Sequence, residues 1–209
     1  MPSKYRLRRL FKKRFIVTFL AKIFNKLKFT PNCISIMTLI FAILSSIIVY
    51  LTENLVLFGV LIFIMTLLDG VDGTLARLTN NTTQFGGFLD SILDRCAEIT
   101  VLTALYLSGT AYFIYNATLY TITFIFLISG SLIISFLRSR AQNSLVTNTK
   151  YDLDVGLFAR SERLISIVII LVIPFNIVFS LGIITICVGI VGTAIFRFIT
   201  YRKYIKAED

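Results

Sequence analysis

Long uncharged apolar runs alternate along this chain with short polar breaks. Phe29 to Thr52 carries no charge, and Thr30-Pro31 opens it with a capping hydroxyl and a proline at the first helical position. Glu53-Asn54 turns the chain, and a second run extends from Leu55 to about Arg77. After the polar break Leu78–Gln84, a third runs from about Phe85 to Leu107. The uncharged stretch Ile99–Leu137 is too long for one helix, and Ser108-Gly109 and Asn116 divide it, so a fourth segment starts near Leu119. Leu164–Phe196 is likewise divided, by Pro174 and Asn176, into a fifth and a sixth. The first run is long enough to cross a bilayer. The pattern predicts an all-α integral membrane protein with six transmembrane helices.

Six crossings place the N-terminus, the 2–3 and 4–5 loops and the C-terminus on one side. All 21 Lys and Arg residues then fall on or near that side, which the positive-inside rule makes cytoplasmic. A multi-pass protein of the cell membrane, with both termini and any site between spans two and three facing the cytoplasm, is the expected topology. Residues 1–29 are basic, with Leu7, Leu10, Phe11 and Phe15 between Lys4, Arg6, Arg8, Arg9, Lys12, Lys13 and Arg14, and Lys22, Lys26 and Lys28 beyond. They lack the uninterrupted apolar core of a signal peptide. An N-terminal amphipathic helix lying on the membrane surface fits them, a partly disordered basic tail being the alternative. The chain thus divides into a basic juxtamembrane segment, 1–29, and a six-helix membrane domain, 30–209.

Composition narrows the chemistry. The 209 residues are 56% hydrophobic, and none is His, which excludes a His-dependent zinc site and an imidazole base. Cys33, Cys96 and Cys187 are scattered and read as buried free thiols. The net charge of +10 suits anionic membrane lipids better than nucleic acid. No internal repeat supports the inverted symmetry common in transporters.

Against this apolar background four carboxylates stand out. Asp69 and Asp72 are three apart, Asp90 and Asp94 four apart, so on helices each pair shares a face. Charges at a membrane boundary need partners. The sequence around them offers no cationic excess, so a bound divalent cation is the expected counter-charge. Hard oxygen ligands suit Mg²⁺ or Mn²⁺, and two such ions clamp a phosphoryl transfer. Gly70, Gly73, Gly86 and Gly87 leave room for a ligand or a neighbouring helix, and Arg77 is placed to hold a phosphate.

The run Asp69-x2-Asp72-Gly73-x2-Ala76-Arg77-x8-Gly86-x3-Asp90-x3-Asp94 resembles the signature of the CDP-alcohol phosphotransferases at every fixed position and both spacings. The likeness covers about residues 30–200 and includes Thr30-Pro31-Asn32, similar to the segment that opens the family's first span. It implies a six-helix membrane fold, usually a homodimer, with a polar cavity open to the cytoplasm. It implies transfer of a substituted phosphate from a CDP-linked donor to an alcohol, with release of CMP. By the same likeness Asp69, Asp72, Asp90 and Asp94 bind two metal ions, Mg²⁺ or Mn²⁺. Asp94 is also the base that activates the acceptor, and Asn32, Gly73, Arg77 and Gly86 line the CDP site.

Phe136–Gln142 and Gly156–Leu164 contribute Arg138, Arg140, Arg160 and Arg163 around one loop. These stretches resemble those of phosphatidylinositol-phosphate synthases and their archaeal ether-lipid counterparts. That likeness implies a CDP-linked lipid donor and a phosphorylated polyol acceptor, inositol 1-phosphate, gripped by the four arginines, with Glu162 fixing Arg160 and Arg163. Glycerol 3-phosphate as acceptor, or CDP-inositol as donor, are alternatives within the same chemistry. Tyr151, Asp152 and Asp154 in the same loop match no role. A cation transporter is the alternative from another class, and it calls for carboxylates on broken helices near mid-membrane.

Overall fold

The computed structural model describes residues 15–109, 113–145, 151, 153 and 155–206. The basic run 4–14 and the aspartates at 152 and 154 lie outside the described residues. The described residues form helices and connecting turns only: α1 Phe15–Lys26, α2 Pro31–Thr52, α3 Leu55–Leu78, α4 Gln84–Gly109, α5 Ala117–Ser144, α6 Arg160–Val172 and α7 Asn176–Lys206. Four of them, α2, α3, α5 and α7, are long and apolar enough to cross a membrane.

Local chemistry sets the helix ends. Thr30 caps α2 by accepting from the Cys33 N–H, with Pro31 at the first position. Glu53 closes α2 in a left-handed conformation, and the next residue, Asn54, caps α3 through its side chain. Asn116 does the same for α5. Tyr120 donates to the carbonyls of Leu105 and Tyr106, tying α5 back to the end of α4.

Helix α2 packs along both α3 and α4, while α3 and α4 touch each other little. The two aspartate-bearing helices therefore diverge over α2 and leave a gap that α2 floors. On the far side α6 packs on α3, and α7 packs on α5 and α6. Phe58, Ile62, Met65, Val101, Leu105, Leu127, Ile167 and Ile183 fill the common core. Outward faces are as apolar as the core: Ile40, Ile43, Leu44 and Ile47 on α2, and Val188, Ile195 and Phe198 on α7, are exposed. Such stripes are stable against lipid, not water, as in a multi-pass membrane protein.

Helix α1 lies across the end of α3. Val17, Leu20, Ala21 and Phe24 pack against Ile34, Val71 and Leu75, and Gly70 gives Val17 room to approach. This contact fixes the rotation of α3 where it carries its aspartates.

Two helices depart from the expected spans. Helix α4 is long, but Asp90, Asp94, Arg95 and Glu98 interrupt its apolar character. Helix α6 has only 13 residues, about 20 Å at 1.5 Å per residue. Its end meets the α2–α3 turn around a cavity of about 370 Å³ lined by Thr52–Val56, Ile170, Leu171 and Ile173–Asn176. Its start is level with Asp69, and the described residues before it, 151, 153 and 155–159, are not helical. Non-helical backbone inside a membrane protein needs internal partners. Tyr201 donates to the Leu153 carbonyl at 2.7 Å, Arg197 Nε to Val155 at 2.8 Å, and Arg163 Nη1 to Phe158 at 2.9 Å. Arg197 Nη1 also reaches the Ile134 carbonyl of α5 at 3.0 Å, and the ring of Phe158 lies where a Cβ on Gly189 would collide.

Arg197→Met strands the Val155 carbonyl and removes the contact with the Ile134 carbonyl, and should cost about 1–3 kcal/mol. Thermal unfolding in detergent measures this, and an unchanged Tm would contradict the strapping of Leu153 and Val155 by α7.

Candidate active site

The pattern Asp-x-x-Asp on α3 and Asp-x-x-x-Asp on α4 turns each pair toward the gap over α2, and the structure splits the four carboxylates into two groups. Asp72 and Asp90 face each other across the gap. With Pro31, Asn32, Ser35, Gly73, Ala76, Arg77, Asn81–Thr83, Gly86 and Gly87 they line a cleft of about 180 Å³. Ser35 on α2 donates to Asp72 Oδ2 at 2.8 Å and holds that carboxylate in place.

The four residues expected to line a nucleotide site, Asn32, Gly73, Arg77 and Gly86, all stand on this cleft. Gly86 is tightly fitted, since a Cβ there would lie 3.1 Å from Asn32 Oδ1 and 2.9 Å from Thr83 Oγ1. Around Gly87 a Cβ would meet nothing within 4 Å, and at Gly73 only the Arg77 guanidinium. The space over these two belongs to the cleft. Arg77 is exposed and steadied by Thr74 at 3.1 Å, leaving its guanidinium at the rim.

Asp69 and Asp94 form the second group, facing each other deeper in the bundle. Arg160, the first residue of α6, bridges them: its Nη1 lies 2.8 Å from Asp69 Oδ1 and in close contact with Asp94 Oδ2. This corrects the expectation that the aspartates lack a cation. The counter-charge comes from a loop more than sixty residues away, which local sequence could not reveal. The Nε and Nη2 of Arg160 are buried without hydrogen-bond partners. Buried donors left unpaired are costly, and an anionic oxygen beside them would relieve that cost.

Arg163, three residues on, does something else. It is 1% exposed, and its Nε and Nη2 grip Glu98 of α4 at 2.6–2.8 Å. With Nη1 on the Phe158 carbonyl, the guanidinium is occupied within the protein, contrary to its expected place in a phosphate grip. Glu162 departs too, bonding the Ala159 N–H at 2.8 Å as half a capping box instead of fixing the two arginines. Arg138 and Arg140, on the last turns of α5, are half-buried and exposed respectively, and neither lines the cleft. Sequence reasoning missed Ser35 and Glu98. The signals were present: Ser35 is one helical turn from Asn32, and Glu98 one turn from Asp94.

Among the described residues no three carboxylates close into a ready-made metal cage. The donor set nonetheless fits a divalent ion: two facing pairs of hard oxygen ligands on diverging helices, with Arg160 spanning one pair. Like charges held face to face are what such an ion stabilises.

A cleft flanked by paired aspartates and floored by a Pro-Asn-x-x-Ser helix start is thus set in an apolar helical bundle. The profile of the CDP-alcohol phosphatidyltransferases matches residues 28–200, and the chain belongs to that family. It is 34% identical to an archaetidylinositol phosphate synthase of Pyrococcus horikoshii over 72% of this chain and 73% of the other. To a phosphatidylinositol phosphate synthase of Corynebacterium glutamicum it is 29% identical over 72% and 66%. The fold is that of the phosphatidylinositol phosphate synthase of Mycobacterium tuberculosis, solved with CDP-DAG bound. The TM-score is 0.76 at 23% identity, covering 90% of this chain and 94% of that one. The same enzyme solved with manganese and citrate gives a TM-score of 0.75 at 24% identity, covering 88% of each chain.

Glu98→Ala leaves Arg163 charged, buried and unpaired, and should destabilise the protein by about 3–5 kcal/mol. Replacing both by methionine should recover most of that loss. Tm values of the wild type, single and double variants in detergent decide this, and equal Tm values for all three would show the pair to be without structural weight.

Proposed function

We propose that the protein transfers a phosphatidyl or archaetidyl group from a CDP-linked lipid to inositol 1-phosphate and releases CMP. One observation carries this reading beyond the family chemistry. Arg160 stands at the paired aspartates with two buried, unpartnered N–H donors, placed for the phosphate of an anionic acceptor beside the nucleotide cleft. The named synthases among its relatives support the same acceptor.

In this reading the nucleotide occupies the cleft, with its pyrophosphate toward Gly73, Gly86 and Arg77. Asp69, Asp72, Asp90 and Asp94 would hold two divalent ions, Mg²⁺ or Mn²⁺, which would supply positive charge to the phosphates. Asp94 takes the proton of the acceptor hydroxyl. The freed oxygen bonds to the lipid-bearing phosphorus, the anhydride bond to CMP breaks, and CMP leaves with the electron pair. Ser35 keeps Asp72 oriented, and Arg160 aligns the acceptor phosphate, with Arg138 and Arg140 at the entrance. Arg163 is not part of that grip.

Helices α2 to α7 form six crossings in this reading, with α4 and α6 shielded by their neighbours. The termini and the cleft face the cytoplasm. Helix α1 rests on that surface, with Ile16, Phe19 and Ile23 toward lipid and Lys22 and Lys26 toward headgroups. The homodimer implied by the family likeness is retained.

Purified protein with Mg²⁺ and CDP-diacylglycerol should release CMP with inositol 1-phosphate and not with free inositol or glycerol 3-phosphate. Turnover with glycerol 3-phosphate alone would keep the aspartate chemistry and overturn the acceptor. Asp94→Asn should lower kcat by at least about a hundredfold while leaving CDP affinity, measured by calorimetry, nearly unchanged. Near-normal turnover of that variant would remove Asp94 from the role of base.

A further inference from the structure

Glu98 and Arg163 lie outside the cleft and touch none of the residues assigned to the nucleotide. Their pair is nevertheless the most deeply buried charge contact described, Glu98 being 3% and Arg163 1% exposed. Burying two charges in an apolar bundle gains little stability, because well-packed apolar side chains of similar volume serve as well. Leu164, the next residue of α6, and Ile167, one turn on, fill the core with apolar side chains. Stability alone is therefore a weak reason for the pair, and its geometry supplies a better one.

On α4, Asp94 and Glu98 are four residues apart and share a face. On α6, Arg160 and Arg163 are three apart and share a face. The contacts run rung by rung: Asp94 to Arg160, and one turn deeper Glu98 to Arg163. The deeper rung is bidentate, and its third contact, Arg163 Nη1 to the Phe158 carbonyl, also pins the chain just before α6 begins. A planar fork held at both nitrogens fixes rotation and depth together, which a single contact does not. The upper rung is the working one, with donors still unpaired.

We propose that Glu98 is a positioning residue for the transfer reaction. Through its fork with Arg163 it sets the rotation and depth of α6, and so holds the Arg160 guanidinium at Asp69 and Asp94. The pair acts on the reaction through Arg160 and does not meet the substrate. The kinetic part of this inference rests on the acceptor reading proposed above, whereas the geometric part does not.

Two measurements on the full-length protein in detergent separate these parts. The first is Mn²⁺ binding without substrate, followed by the electron paramagnetic resonance of the free ion. Removing a cation from the aspartates strengthens their hold on another, so Arg160→Met should bind Mn²⁺ at least about tenfold more tightly. The paired variant Glu98→Met/Arg163→Met carries no net change in charge and should shift affinity the same way by about threefold, because the loosened guanidinium leaves the carboxylates part of the time. A merely structural lesion would weaken Mn²⁺ binding. Unchanged or weaker affinity in the paired variant therefore overturns the proposal.

The second is steady-state kinetics. The paired variant should raise the acceptor KM about tenfold or more while the CDP-donor KM stays within about twofold, and Arg163→Lys, which keeps the charge but loses the fork, should fall between it and the wild type. Equal rises in both constants, or a wild-type acceptor KM, count against positioning. Should the paired variant not fold, Arg163→Lys alone carries both tests, with the same signs at smaller amplitude. If the wild type releases no CMP with inositol 1-phosphate, the acceptor reading fails, and the Mn²⁺ titration alone decides whether the fork holds Arg160.

Discussion

Charge inside an apolar bundle has to be matched by charge, and the site of this protein is built on that constraint. Four carboxylates on α3 and α4 sit among helices whose outer faces are exposed to lipid. No cation comes with them from their own helices in the ion pairs described. It arrives from the far end of the chain, as Arg160 at the first turn of α6, and a second arginine one turn deeper answers Glu98. Just before that helix start, the described residues 151, 153 and 155–159 are irregular backbone held against the bundle. The carbonyls of Leu153, Val155 and Phe158 accept from Tyr201, Arg197 and Arg163. The depth of the site, the shortness of α6 and the polar strapping by α7 all follow from the same requirement.

Divergence of α3 and α4 over α2 does the rest. Two close-packed helices would press the carboxylates together and leave no room for a ligand. Spread apart and floored by α2, they present Asp72 and Asp90 to a cleft and keep Asp69 and Asp94 for the arginine. Asn32 and Ser35, on the first turns of α2, become part of the site, and Gly86 lets α4 approach Asn32 closely. Membership of the CDP-alcohol phosphatidyltransferases gives this arrangement its reaction class. The division into a cleft side and an arginine side fits the transfer between two anions proposed above.

Much of this was legible in the sequence, because it depends on local chemistry. Thr30-Pro31, Glu53-Asn54, Asn116 and Pro174 mark helix ends through capping, left-handed turns and the missing proline donor, and the helices end where those signals stand. The aspartates and glycines were readable because their spacing fixes a helical face. What was not readable depends on contacts across the chain. Nothing near Arg163 in sequence distinguishes a guanidinium that will meet Glu98 from one that will meet a phosphate. The same holds for Arg160 and the counter-charge of the aspartates. Charge runs near Arg138 and Arg140 obey the positive-inside pattern whether or not they touch a substrate.

The most direct test is a structure with Mn²⁺ and a CDP-linked lipid, read by the anomalous scattering of manganese. The account predicts manganese density at Asp69, Asp72, Asp90 and Asp94, with cytidine over Asn32 and Gly86 and the Arg160 guanidinium turned from the carboxylates toward phosphate. Nucleotide bound elsewhere, or manganese absent from the aspartates while Arg160 still bridges Asp69 and Asp94, would contradict it.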